Sequence, residues 1–371
     1  MTKSKKLLLI VGLSYTVAIA GLATTNLLHN FFGINGIAEQ RVNDDPFANF
    51  EESTPASSVK ASTPSSSDSA VASQSESEPV ASSSETTVTV SPYTETTTTF
   101  TRYRPGEYDP NNECYDSRGN EIIFYTLEIK IKKITDLRTN QVTDSNGYPG
   151  DNCLSTVYNQ IKDVEKKYNV TVLGAISGDS SYNNLDHRLG YVLRNGQVLR
   201  AQTRTGNDAV FEDLVLWNDG TMSLYIEPGF TGTRRTPSLP TYTTADLTSR
   251  KAWQVWTFGP TLVYNNVISV GEDDDVASPH QAGNQRTAIG YLGPFHYMFL
   301  VSQGRNKGQT DGFSLHDLAQ RLYDRGCTLA YNLDGGDSST FYCLDESGTP
   351  KKYPTQKNPR ALGDMIYVVD A

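Results

Sequence analysis

Hydrophobic and polar positions follow one another along this chain in three regimes. The first is an apolar stretch from Leu7 to about Leu28, interrupted by Ser14, Thr16 and Thr24 to Asn26. About 20 apolar residues span a bilayer as a helix, and Lys3, Lys5 and Lys6 ahead of them hold that end in the cytoplasm. Ala18-Ile19-Ala20 supports a competing reading, a cleaved signal after a short apolar region. The apolar character runs on through Leu22, Ala23, Leu27 and Leu28, which favours an anchor over residues 1–30. Under either reading the rest of the chain is expected outside the cytoplasmic membrane, on the cell surface or secreted.

The second regime has no periodicity. Ser53 to Thr99 is almost entirely Ser, Thr, Ala, Val, Pro and acidic residues, with no aromatic from Glu51 to Pro92. Such a segment cannot bury enough apolar surface to offset its ordering entropy. Residues 31–100 are therefore read as a disordered tether, with an O-glycosylated stalk as the variant reading. The third regime, 101–371, is domain-sized.

Within it, Ile122 to Ile131 is β-branched and aromatic enough for a strand. Leu154 to Tyr168 places Leu154, Val157, Tyr158, Ile161 and Val164 at helical spacing, and Val170 to Ile176 follows as a buried strand. Asn195-Gly196 and Asp219-Gly220 each sit between short apolar runs, the sequence signature of hairpins. Leu315 to Arg325 predicts a helix, with Ser314 as N-cap, Asp317 as capping-box partner and Gly326 beyond its end. Cys327 to Leu333 then reads as a buried strand running into Asp334-Gly335-Gly336. The pattern predicts an α/β (α+β) fold, a mixed β-sheet core flanked by helices in a single domain.

Charge sharpens this partition. The formal net charge is −10, yet residues 51–100 carry one Lys against seven acidic groups. The folded region is only mildly acidic, and no basic stripe is available to neutralise nucleic-acid phosphates. The four cysteines all fall beyond residue 101, where oxidising surroundings permit disulfides. Cys114 and Cys153, in polar turn-rich sequence, are the preferred pair; Cys327 and Cys343 flank the Gly-rich turn and are the alternative. No C-x-x-C occurs and the histidines are scattered, so neither a metal site nor a cofactor is expected. The acidic run Glu272 to Asp275 reads as a solvated loop.

Two near-identical tetrads carry the candidate chemistry, Gly178-Asp179-Ser180-Ser181 and Gly336-Asp337-Ser338-Ser339. Each follows an apolar run that reads as a strand. Glycines there permit close backbone approach, and Ser hydroxyls with exposed N–H groups can hold an anion. A serine nucleophile would need a His base held by a carboxylate, and no histidine spacing favours one. Turn chemistry explains either tetrad alone, but not an acidic residue leaving a buried strand beside two glycines, as in Asn332-Leu333-Asp334-Gly335-Gly336.

Several segments, in order, resemble the phosphodiester glycosidase family. They are Ala175-Ile-Ser-Gly-Asp179, Trp253 to Val263, Arg286-Thr-Ala-Ile-Gly290, Gly304-Arg305, the Ser314 to Gly326 helix, Ala330 to Thr340, and Arg360 with Asp364 to Asp370. Exported bacterial relatives are often exopolysaccharide-related. The resemblance implies cleavage of a sugar-1-phosphodiester at the glycosidic C1–O bond, leaving a phosphomonoester, with a phosphoglycan or cell-wall polysaccharide as substrate. It makes Arg286 and Arg305 candidates for a phosphate clamp, since guanidinium matches phosphate oxygens bidentately, and Asp334 the catalytic carboxylate. Asn332, Gly335, Gly336, Ser338 and Ser339 are expected to hold substrate, with Asp179 and Asp213 as secondary candidates.

The chain departs from the family pattern at four points. Ser177 stands where Asn is usual, Gln285 where Pro is usual, and Gln303 where an Asp is usual. Asp337 replaces a small residue. Position 303 therefore cannot act as an acid. A non-catalytic glycan-binding or assembly protein that keeps the fold is the alternative reading.

Overall fold

The computed structural model describes residues 90–371 apart from 117–118, 151, 181–189, 202–211, 227–238, 272–282, 305–311 and 355–358. In chain order its elements are β1 (Thr97–Tyr103), β2 (Phe124–Lys130), β3 (Leu137–Gln141), α1 (Val157–Tyr168), β4 (Thr171–Ser177), β5 (Tyr191–Arg194), β6 (Gln197–Ala201), β7 (Glu212–Trp217), β8 (Met222–Ile226), α2 (Thr244–Ser249), β9 (Ala252–Thr257), β10 (Thr261–Tyr264), β11 (Val267–Ile268), β12 (Arg286–Gly293), β13 (His296–Ser302), α3 (Leu315–Tyr323), β14 (Leu329–Leu333), β15 (Thr340–Leu344), β16 (Pro350–Pro354) and β17 (Asp364–Asp370).

The strands form three sheets. The first runs β1-β2-β13-β12-β14-β10-β11, the second β16-β15-β4-β17-β3 and the third β6-β5-β9-β7-β8. Every strand ladder is antiparallel, so the expected mixed sheet is corrected to a predominantly antiparallel β architecture with few helices. The reason is local. Tight turns at Asn195-Gly196, Asp219-Gly220, Asn265-Asn266 and Pro294-Phe295 join neighbouring strands, and antiparallel neighbours need no helical crossover.

Each helix covers the outer face of one sheet. Leu315, Leu318, Ala319 and Leu322 of α3 pack on Leu262, Ala288, Leu300 and Ala330 of the first sheet. Val157, Ile161 and Val164 of α1 pack on Val172, Met365 and Tyr367 of the second. Leu247 of α2 joins Val215, Trp217 and Val255 of the third. The capping box expected for α3 is present: Ser314 Oγ accepts the Asp317 N–H at 3.0 Å, and Asp317 Oδ2 accepts the Ser314 N–H at 3.3 Å.

The inner faces meet at close range. A Cβ on Gly174 of β4 would lie 2.2 Å from Leu127 Cδ2 of β2, so a larger residue there would force that buried leucine to shift. Trp253 and Trp256 of β9 are buried and donate their indole N–H groups to Leu137 O and Thr139 Oγ1 of β3, at 2.6 and 3.0 Å. These aromatics are core supports between the second and third sheets.

The boundary of the folded part also moves. β1 begins at Thr97, within the segment read as tether, because its β-branched run pairs residue by residue with β2. Phe100 then stacks on Tyr353 with ring centroids 5.5 Å apart. The apolar stretch Leu7 to Leu28 and residues 31–89 of the tether lie outside the described residues, as does Glu272 to Asp275. Among the described residues no helix is long and apolar enough to cross a membrane.

The preferred Cys114–Cys153 pair is not formed, and all four cysteines are free. Cys114 faces Tyr108 O within the core beside α3, whereas Cys153 faces Tyr148 O at the surface. Cys327 shares the Cys114 core, and Cys343 lies on β15 in the second sheet. Burial pushes the thiols of Cys114, Cys327 and Cys343 up to about 12, which suppresses thiolate chemistry. A thiol reagent is accordingly expected to label Cys153 alone in the native protein, and all four cysteines after unfolding without reductant. Two or fewer labelled thiols in the unfolded chain would contradict this arrangement.

Candidate functional site

The two tetrads found in the sequence meet in space. One leaves the end of β4 and the other the end of β14. They are joined by the Asp334 N–H donating to Gly178 O at 3.1 Å and by Ser177 Oγ donating to Asp334 O at 3.1 Å. Ser180 Oγ donates to the Asp334 carboxylate, Oδ2, at 3.0 Å. Ser177 Oγ also lies 3.0 Å from Thr287 Oγ1 of β12, which donates to Ser339 Oγ at 3.1 Å.

β12 supplies the adjoining wall. Its ladder with β14 pairs Ala288 with Asn332 and Thr287 with Leu333, so the next step of the register sets Arg286 opposite Asp334. Gly335 and Gly336 permit this approach. A Cβ on Gly335 would lie 2.9 Å from Gln285 O, and that same carbonyl accepts the Gly336 N–H at 2.9 Å with Gly336 at φ +61°. Arg286 is buried at the head of β12, where its Nε donates to Phe313 O at 3.0 Å.

Beneath Asp334 lies a buried ionic group drawn from two sheets. Arg194, the last residue of β5, reaches Asp179 Oδ1 at 2.6 Å and Asp364 Oδ2 at 3.2 Å through one nitrogen. Its other terminal nitrogen donates to Val255 O. Asp179 Oδ2 accepts the Thr257 N–H at 2.7 Å, and Asp364 accepts the N–H groups of Asp179 and Ser180 at 3.2 and 2.9 Å. Burial, and then the Asp179 carboxylate, push Asp364 well above the usual carboxylate range.

Asp334 is half-buried, and its carboxyl is raised from 3.8 to about 6. Desolvation is the leading cause. The Ser338 and Ser180 hydroxyls and the Arg360 charge pull it back down, while Asp179 adds to the rise. A carboxylate ionised near neutrality, partly open to solvent and within reach of the Arg360 charge, is suited to stabilising positive charge or moving a proton.

The expected residues sort unevenly. Asp334, Arg286, Gly335, Gly336, Ser338 and Ser339 come together, but the Ser338 and Ser339 N–H groups close their own turn and the Gly336 N–H is taken by Gln285 O, so none of the three points outward. Asn332 is a support: its Nδ2 donates to Gly259 O at 2.7 Å. Asp179 and Asp213 are corrected from substrate contacts to interior groups. Both are fully buried, Asp179 against Arg194 and Asp213 against Thr257 Oγ1 and Tyr242 Oη. Arg305 lies outside the described residues. Sequence reasoning missed Arg194, Asp364 and Thr287 as site supports. It noted Arg360 and Asp364 only as matching pieces and Ser180 only as part of a tetrad.

The departures from the family pattern have local explanations. Gln285 donates its N–H to Asn284 Oδ1 at 3.0 Å, a bond proline lacks. Gln303 Nε2 donates to Tyr125 Oη at 2.6 Å, tying that side chain to β2. Asp337 is exposed. The described histidines serve elsewhere, His296 on Glu128 and His316 on Val270 O. Among the described residues no three His, Cys, Asp or Glu side chains converge as metal ligands.

A groove of about 370 Å³ lies at the other end of β14, lined by Tyr225, Tyr264, Asn265, Asn266, Tyr291 and Leu329 among others. It is roughly 16 Å from Asp334 at the strand rise per residue and has no charged side chain in its lining. It therefore lacks the convergent ionisable groups that mark the Asp334 end.

The sequence pattern of the phosphodiester glycosidase family matches residues 167–369, more than half of the chain. Among solved structures, the chain is similar to the zebrafish N-acetylglucosamine-1-phosphodiester α-N-acetylglucosaminidase catalytic domain, auto-inhibited by its pro-peptide. That match has 16% identity and a TM-score of 0.51, covering 76% of this chain and 86% of that one. A hypothetical protein from Synechocystis matches at 13% identity and TM-score 0.41, over 67% of this chain and 60% of that one. A putative exported protein from Burkholderia pseudomallei matches at 12% and 0.41, over 70% and 76%. No curated protein sequence matches the chain. The likeness to the zebrafish domain concerns the fold.

The raised carboxyl yields a signed stability prediction. Because folding raises the Asp334 pKa, its contribution is most favourable below about 3.9 and is lost as pH rises through about 6. Above that, the ionised group costs on the order of 3 kcal/mol. Asp334→Asn should therefore gain stability over the parent between pH 4 and pH 8, by about 1–3 kcal/mol in urea unfolding. A difference that stays flat or falls across this range would show that Asp334 is not raised.

Proposed function

We propose that this chain, which belongs to the phosphodiester glycosidase family, hydrolyses sugar-1-phosphodiesters at the C1–O bond and leaves a phosphomonoester. The observation that carries the reading is Asp334: a half-buried carboxyl raised to about 6, at a strand end, with Arg360 close enough to act on its charge. As the C1–O bond breaks, its electron pair goes to the phosphate oxygen and positive charge develops on the sugar ring. Ionised Asp334 faces that charge, and water adds at C1, giving up its proton to the released phosphate dianion. The departing phosphate is a good leaving group, so a second carboxylate at position 303 is not required of the mechanism.

Arg286, Arg305 and Arg360 are the cations proposed to hold the phosphate. Arg360 is exposed and Arg286 is buried at the head of β12, so Arg360 is the outer member. The substrate class proposed is a phosphoglycan or cell-wall polysaccharide. This accords with Lys3, Lys5, Lys6 and the apolar stretch after them, read as an anchor with the folded domain outside the cell. Release of that domain by protease treatment of intact cells tests the location.

The rival reading, a non-catalytic glycan-binding protein, draws on Gln303, whose amide is tied to Tyr125 where the family usually has an acid. Incubation with a sugar-1-phosphodiester and assay of released sugar separates the two. Turnover is expected, with kcat/KM rising through about pH 6 as Asp334 ionises. The limb in kcat should lie higher, because the bound diester's negative charge opposes that ionisation. Asp334→Asn should lower kcat/KM at least 100-fold (about 2.7 kcal/mol in barrier), and Arg360→Ala should raise KM for the diester. Retained glycan binding without turnover would favour the rival, and an Asp334→Asn loss within about tenfold would remove Asp334 from its role.

A further inference from the structure

Asp364 opens β17 with a carboxylate that no solvent reaches, directly beneath the loop that follows β4. Its Oδ1 accepts the Ser180 N–H at 2.9 Å, and its Oδ2 accepts the Asp179 N–H at 3.2 Å together with Arg194 Nη2 at 3.2 Å. The space above it is closed to anything larger than glycine at position 178, where a Cβ would lie 2.4 Å from the Asp364 carboxyl carbon. Ser180 is held at φ +52°, a conformation a serine rarely adopts unaided. From that conformation its hydroxyl reaches Asp334 Oδ2.

We propose that Asp364 is a positioning residue for Asp334, acting through Ser180: by gripping two successive amides it fixes the left-handed serine whose hydroxyl keeps the Asp334 carboxylate ready to ionise. The proposal rests on Asp334 being the carboxylate of the site, and it assigns a task to a buried acid that no chemical step needs. The surrounding charges are defined. Asp334 is faced by Asp179, which opposes its ionisation, and by Arg360 and the hydroxyls of Ser180 and Ser338, which favour it. Asp364 is faced by Asp179 and Arg194.

The chemistry explains why the acid is needed. Three N–H groups converge on the two oxygens of Asp364, and both oxygens of a carboxyl group accept whether or not one of them carries the proton. An asparagine carries one acceptor oxygen and one NH₂, so either the Ser180 side or the Asp179–Arg194 side would set N–H against N–H. Loosening the grip frees Ser180 to leave the left-handed region and withdraw its hydroxyl. Asp334 then loses a donor to its charged form and must hold its proton to higher pH.

The test uses the whole chain labelled with ¹³C at aspartate carboxyls, with the Asp334 signal identified by its loss in Asp334→Asn. Ser180→Ala and Asp364→Asn should each move the Asp334 titration midpoint upward by about half a unit or more, roughly threefold in acid dissociation. The double variant should move it no further than the larger single change, since both act through one contact. Should Asp364→Asn unfold, Gly178→Ala displaces the same carboxylate without altering charge and should give the same shift. An unmoved midpoint in Ser180→Ala, an unmoved midpoint in a folded Asp364→Asn or Gly178→Ala, or additive shifts in the double variant would each overturn the proposal. The readout involves no substrate, so absence of hydrolysis by the parent protein would count against the proposed reaction and leave the positioning role standing.

Discussion

Arg194 comes from the third sheet, while Asp179 lies just past β4 and Asp364 opens its neighbour β17 in the second, and all three side chains are buried at one junction. Two carboxylates on one guanidinium is an expensive arrangement away from water. Removing one partner of such a pair leaves an uncompensated charge, typically costing about 3–5 kcal/mol. A hydrophobic replacement of the whole group could serve stability equally well, so stability alone does not account for it. What the group supplies is geometry: its bonds fix the residues after β4, the end of β9 and the start of β17 relative to one another.

That fixed platform is what allows the candidate site to be made from loops. Gly178 O and Ser177 Oγ dock the backbone of Asp334, and Thr287 links Ser177 to Ser339. The first sheet thus presents Asp334 and Arg286 against a floor built by the other two. The same low-dielectric floor raises Asp334 to about 6, so the contacts that place the carboxyl also set the pH at which it ionises. A site tuned in this way is destabilising when charged, which is the usual relation between function and stability at a buried acid.

Much of the fold was legible because local rules operated without interference. The Ser314 and Asp317 capping box, the apolar stripe of α3, and the hairpins at Asn195-Gly196 and Asp219-Gly220 all form where short-range patterns place them. The sheet topology was not legible, because apolar runs such as Val170 to Ile176 look alike in parallel and antiparallel company. At the site, Asp334 could be singled out as an acid leaving a buried strand beside two glycines. Arg194 could not, since a residue preceding Asn195-Gly196 looks like an exposed hairpin flank, and its burial follows from two acids distant in sequence. Asp179 and Asp213 misled for the converse reason: nothing local distinguishes an acid paired in the interior from one that faces solvent. The cysteines followed the same logic, with Cys114 drawn into the core beside α3 by contacts that the turn-rich sequence around it does not announce.

The central claim is that the chemistry belongs to the Asp334 end of β14 and not to the uncharged groove at its other end. A crystal structure with a non-hydrolysable sugar-1-phosphonate diester tests this directly. The anomeric carbon is expected roughly 3–3.5 Å from an Asp334 oxygen, with the phosphonate oxygens turned toward Arg360 and Arg286. A ligand seated instead among Tyr225, Tyr264 and Tyr291, with Asp334 untouched, would contradict it.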